Sequence, residues 1–191
     1  QLYENEKYAE AISKCEENII SFSGEPVVSK LEFLKSLAIA RVYGFKEYEK
    51  ALQFIKLNYS VTLEGKEAER ILNEVLPQIK NDEFKENKLS ENYKIVYVFE
   101  KDENDKISQQ LNDLQQYIDG VDFLDLRVSE DFYNNIVTFV IVHGLKSYDG
   151  SFGLSERLEK TINIQADSFF VISSDNYKTI QIHKNLEQFR N

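Results

Sequence analysis

The chain has no tryptophan and no methionine, one cysteine and two prolines in 191 residues. A lone cysteine, Cys15, excludes an intramolecular disulfide; it does not fix a compartment, because periplasmic proteins need not use disulfides. No apolar run nears the ~18 residues that a membrane-spanning helix requires. No signal peptide is visible at Gln1, so any targeting or lipid signal is expected upstream. A first residue other than Met leads to the same expectation, a piece cut from something longer. Positive charge is also scarce, with 23 Lys+Arg against 33 Asp+Glu and a net charge of −10. Phosphate backbones are bound through a clustered positive field, so this balance argues against nucleic acid and is compatible with soluble protein partners.

Apolar residues are plentiful, at 42%, with 13% aromatic. That supports a packed core without metals or disulfides and is too apolar for disorder. The length suits one large domain or two small ones.

The first half reads as paired helices. "YAEAI" at 8–12 is echoed by "YEKAL" at 48–52. Tyr8, Ala11, Ile12, Cys15 and Ile19 fall on one helical stripe, answered forty residues later by Tyr48, Ala51, Leu52, Ile55 and Tyr59. The segments 29–43 and 64–76 carry apolar stripes of their own, with Pro77 expected to end the last helix. Breaks at "SGEP" (23–26), Gly44 and "SVTLEG" (60–65) leave four helices in antiparallel pairs. Tyr-x-x-Ala-[Ile/Leu] at such spacing resembles a tetratricopeptide (TPR) repeat with a lengthened period. Two units are few for a solenoid, so further repeats are expected before Gln1.

After a polar linker at 81–92 the pattern changes. "YKIVYVFE" (93–100) alternates as a strand; 104–118 returns to helical spacing. Strands are then expected at 122–128, with Leu124, Leu126 and Val128 inward, and at 136–142, with a turn at 130–135 between them. A loop is expected at 148–153, a helix at 154–162, a strand at 168–173 and a closing helix at 175–190 capped by Ser174, Asp175 or Asn176. This order gives an α+β chain with domains at 1–80 (TPR-like helix pairs) and 93–191. The latter would be a ferredoxin-like βαββαβ two-layer sandwich with an extra C-terminal helix, its first and third strands central. Val96 and Val98 make the second sheet face apolar. The last helix, the repeat half or a partner chain is expected to cover it.

No chemistry stands out. An RNA-reading sheet needs a basic-Gly-aromatic strand, which "NIVTFVIVH" lacks. "YDGSFG" holds neither a dinucleotide nor a Walker pattern. His143 and His183 sit in different elements without partners at metal-ligand spacing, His143 read as a strand end and His183 as facing solvent or a partner. Cys15 occupies a core position, and no Gly-x-Ser-x-Gly elbow exists. The expectation is therefore no enzyme, no cofactor and no metal. Candidate partner-contact residues are Val96, Val98, Tyr177, Lys178, Gln181, His183 and Lys184; a terminal helix merely packed on the sheet is the plainer alternative for the last five.

The phrases "YAEAISKCEENIISFSGEP", "GFKEYEKAL", "EGKEAERILNEVLPQ", "NYKIVYVFE" and "FFVISSDNYKTIQIHKNLEQF" together resemble the C-terminal region of the SprE/PorW family. These are large TPR-containing outer-membrane lipoproteins of Bacteroidota, needed for gliding motility and type IX secretion. The closing phrase is distinctive and the repeat phrases generic; no lipobox cysteine is present, so anchoring would rest on an upstream segment. The resemblance implies a non-enzymatic scaffold on the periplasmic side of the outer membrane. It would couple the translocon to other proteins of the secretion and gliding machinery, and the family supplies no catalytic residues to carry over. A ligand-sensing ferredoxin-like module on a TPR adaptor is the competing expectation.

Overall fold

The computed structural model describes residues 1–81, 83–121 and 125–191. The chain is α+β, with a four-stranded antiparallel sheet and helices before, within and after it. It divides into two compact units, Gln1–Glu83 with Ile180–Asn191, and Phe84–Thr179.

In the first unit, α1 (Tyr8–Ser21), α2 (Val27–Tyr43), α3 (Phe45–Asn58) and α4 (Leu63–Arg70) pack in succession, each on the next, and α2 also reaches α4. Gly44 allows the shortest of these connections, with φ 79° at a position where a Cβ would press on the backbone of Ile182. Thr62 caps α4, its hydroxyl accepting from the Gly65 amide at 3.1 Å. The core gathers Leu52, Ile55, Ala68 and Leu76. The forty-residue correspondence holds at Cys15 and Ile55, both buried, and slips beside them. Ala11 is buried where Ala51 is half-buried, and Ile12 is half-buried where Leu52 is fully buried. The cause is company: α3 packs on both α2 and α4, whereas α1 packs chiefly on α2.

Pro77 does not stop the helix, contrary to the sequence expectation. A π turn, Ile71–Val75, shifts the register, with the Leu76 amide reaching back to the Ile71 carbonyl. Pro77 then falls in the first turn of a short α5 (Leu76–Ile79), where a missing N–H costs nothing.

The second unit holds β1 (Tyr93–Glu100), α6 (Asn104–Asp119), β2 (Arg127–Phe132), β3 (Val137–Leu145), α7 (Tyr148–Thr161), β4 (Ser168–Ser173) and the opening turns of α8 (Ser174–His183). The strand order is β2-β3-β1-β4 and every pairing is antiparallel. Tyr93, Ile95, Tyr97 and Phe99 of β1 meet Ile107, Leu114 and Ile118 of α6 and Leu154 and Leu158 of α7 on one face. The opposite face is also buried at its centre, through Val96, Phe139, Ile141 and Ile172. There the start of α8 lies over it, with Tyr177 6.3 Å from Phe139 between ring centroids.

Several boundaries differ from the sequence expectations. The second strand is 127–132, so Glu130 and Asp131 belong to it and the turn comes after; of its expected start, Asp122, Phe123 and Leu124 lie outside the described residues. Asn134 makes the turn by accepting from the amides of Ile136 and Val137, both at 2.8 Å. "YDGSFG" is not a loop but the opening of α7, since Ser147 caps it by accepting from the Gly150 amide at 3.1 Å. The closing helix is broken. Lys184 takes φ 53°, and a separate α9 (Leu186–Arg190) follows. Residues 180–191 group with the helical unit, and 84–89 with the sheet unit. The Asn87 side chain donates to the Val171 carbonyl at 3.0 Å and accepts from the Ser173 amide at 2.7 Å, closing the outer edge of β4. Asn176 clasps Lys85 through both of its backbone polar groups.

Candidate contact surfaces

Three stripes of the helical unit meet around a groove of about 780 Å³. Glu32, Lys35, Ile39 and Tyr43 follow one another by a helical turn on α2, Glu47, Lys50, Ala51 and Phe54 line it from one face of α3, and α1 adds Ile12 and Glu16. Tyr43 and Phe54 leave about half of their surface open, at 53% and 48% exposed. Two pairs of charges flank them, Lys35 with Glu32 at 2.8 Å and Lys50 with Glu47 at 2.6 Å, and Glu16 adds a further carboxylate to the lining.

Further apolar side chains lie at one end of the same unit. Helices that alternate in direction bring the α1–α2 and α3–α4 connections to the same end, and Ser29 ties them by donating to Glu64 at 2.9 Å. Ile20, Phe22, Val27, Leu57, Val61 and Leu63 are all exposed around these two connections. Cys15 is not a reactive group. It lies buried beside a small cavity of about 270 Å³, and burial pushes its thiol up, away from the thiolate.

In the second unit, alternation along β2 puts Arg127, Ser129 and Asp131 on the face away from α6 and α7. His143 lies directly opposite Arg127 on β3. Lys94 of β1 reaches His143 Nδ1 at 3.2 Å, and Ser129 Oγ lies 2.7 Å from His143 Nε2. Burial, helped by Lys94 and Arg127, lowers the imidazole from its ordinary 6.5 to about 4, so the ring is neutral at pH 7. With Lys94 protonated, Nδ1 must accept and Nε2–H must donate to Ser129. That tautomer cannot take the serine's proton, so the pair is not set as a nucleophile and base. Beside it, the Tyr177 hydroxyl donates to Asp131 at 2.6 Å.

The seven contact residues expected from sequence do not form one surface. Val96 is fully buried and Tyr177 nearly so, which corrects their reading as contact residues; Val98 is half-buried. Each is spent on the fold, because the second sheet face is covered rather than open. His183 is half-buried, its Nε2 3.0 Å from the Ile79 carbonyl and its ring 5.3 Å from Phe45. Lys184 donates to Gln181 at 2.9 Å, both half-buried. Lys178 alone of the seven is exposed. Val96, Val98, Tyr177 and Lys178 belong to one unit, and Gln181, His183 and Lys184 to the other. The Lys94–His143–Ser129 contacts went unseen in sequence because 130–135 read as a turn, which hid the alternation of 127, 129 and 131. Among the described residues no three His, Cys, Asp or Glu side chains gather as a metal-ligand set, and no helix is long and apolar enough to cross a membrane. Compared with models of known families, with curated proteins and with solved structures, the chain matches none.

Proposed function

We propose that this chain is a non-enzymatic protein-interaction scaffold: TPR-like helix pairs that grip another polypeptide, joined to a ferredoxin-like βαββαβ sandwich. The observation that carries the reading is the groove between α1, α2 and α3, with Tyr43 and Phe54 half open to solvent above an apolar floor. Successive antiparallel helices with an apolar groove suit a TPR-like grip. A sheet of order β2-β3-β1-β4 with both connecting helices on one face suits the ferredoxin-like assignment. By resemblance to the gliding and type IX secretion lipoproteins, the partners are proteins of that machinery on the periplasmic side of the outer membrane. Membrane attachment would come only through an upstream anchor. A second reading, a ligand-sensing module, is supported by the Lys94–His143–Arg127 row alone.

The test is crosslinking and copurification from native membranes, with Tyr43→Ser/Phe54→Ser as the comparison. Recovery of secretion or motility components by the parent chain and their loss in the double variant is the expected result, together with blocked export on deletion. Normal export after deletion would end the proposal.

A further inference from the structure

We infer that the sheet of the second unit carries an oxyanion-binding site, built from Lys94, Ser129 and Arg127 around His143, for the carboxylate or phosphate of a small ligand. The inference is independent of the scaffold reading, since it rests on other residues in the other unit.

The row crosses three strands. Arg127 on β2 lies opposite His143 on β3, and Lys94 on β1 lies on the other side of the same imidazole. Neighbouring strands are ~4.8 Å apart, so the two cationic residues rise from backbones roughly 10 Å apart, with the ring between them. Among the described residues neither Lys94 nor Arg127 has a carboxylate within ion-pair distance, in a chain whose net charge is −10. Asp131 is the carboxylate near them, outside ion-pair distance, with one of its two oxygens accepting from the Tyr177 hydroxyl. Lys94 is half-buried over the Tyr177 ring, at 5.6 Å. Burial first, and then the like charge of Arg127, lower the Lys94 ammonium, and the Asp131 carboxylate offsets this only in part. An anion would relieve both effects.

The protons point the same way. Lys94 donates to Nδ1, so Nε2–H donates to Ser129, and the serine's own proton is left to turn outward. The donors left over are then an ammonium, a hydroxyl and an exposed guanidinium, beside the Asp131 carboxylate that Tyr177 holds. All three donate, and none of the three needs another donor. The backbone is shaped around this place. The β1–β3 register shifts between Tyr93 and Ile95, where Gly144 adopts φ 92° and a Cβ would collide with the Asp125 carbonyl oxygen. A bulge of this kind re-aims side chains, and here it falls where Lys94 meets His143.

His143 and His183 are the chain's two histidines, so imidazole nitrogen NMR gives a reporter and an internal control. Titration of the full chain at pH 7 with sodium phosphate, and separately with sodium succinate, at ionic strength held by chloride, should shift His143 saturably and leave His183 in place. Arg127→Gln, at an exposed position, and Lys94→Gln should each weaken binding at least about tenfold, equivalent to about 1.4 kcal/mol. The exposed Lys30→Gln should change nothing. Saturation by one anion and not the other would name the oxyanion. No saturable shift with either, or unchanged binding in Arg127→Gln with its fold intact by circular dichroism, overturns the inference.

Discussion

Two units of nearly equal length treat apolar side chains in opposite ways. Of thirteen exposed large apolar side chains among the described residues, ten belong to the helical unit and three, Leu89, Ile136 and Phe152, to the sheet unit. The sheet unit instead buries polar groups, including Gln110, His143, Ser151, Ser155 and Asn176. A sheet with both faces covered can satisfy its own apolar residues, so the leftover surface becomes polar. The helices of the other unit do so less completely, α1 packing chiefly on α2 alone. The unsatisfied surface is thus a consequence of architecture.

The largest effect that tests this contrast is at the sheet. Phe139 is fully buried, stacked on Tyr133 at 4.8 Å and edge-on to Phe170 at 6.0 Å. Phe139→Ala should cost about 3–5 kcal/mol, whereas Phe54→Ala in the groove should cost under about 1 kcal/mol. Urea denaturation followed by circular dichroism reads both. Equal losses would mean that the groove is part of a core and not a surface left for a partner.

A smaller effect comes with pH. His143 faces Lys94, Arg127, Ser129 and Asp131, with Tyr177 of α8 bonded to that Asp131. Its folded value of about 4 lies below the ordinary 6.5, so between these values the unfolded chain binds the extra proton. The stability it contributes is complete above pH 6.5 and is lost as pH falls toward 4. Allowing for solvent around the row, the loss should be about 1–2 kcal/mol. Denaturation midpoints at pH 7 and pH 4.5 should differ less in His143→Gln than in the parent chain. An undiminished difference would place the acid sensitivity elsewhere.

How far the sequence foretold all this depends on how local each cause is. Helical stripes at 8–21 and 45–58 are set by spacing within one segment, and both helices form. The alternation of Tyr93, Ile95, Tyr97 and Phe99 likewise marked β1 and its core face. Pro77 misled because the π turn that accommodates it depends on tertiary packing of Ile71 and Leu76, invisible in a propensity. Residues 148–153 misled because two glycines outweighed, on paper, a Ser147 cap and the burial of Ser151 beneath the helix. The contact residues were misjudged most. Val96 and Tyr177 look available in sequence, but α8 folds back so that Tyr177 packs near Phe139 and Val96 is left with no exposure, a relation between distant segments that no local pattern carries.

The smallest expected effect is at the apolar end of the helical unit. Leu57, Val61 and Leu63 are 81%, 87% and 79% exposed, so removing them sacrifices almost no burial. Leu57→Ser/Val61→Ser should shift stability by no more than about 0.5 kcal/mol. The same change should lower binding of an apolar dye such as anilinonaphthalene sulfonate, because two of the most exposed apolar side chains are removed. If these residues are instead packed in the free chain, the pair of substitutions will cost several times more, by about 2 kcal/mol or above. A near-silent melt with reduced dye binding therefore separates a surface held open for another polypeptide from one already used by the fold.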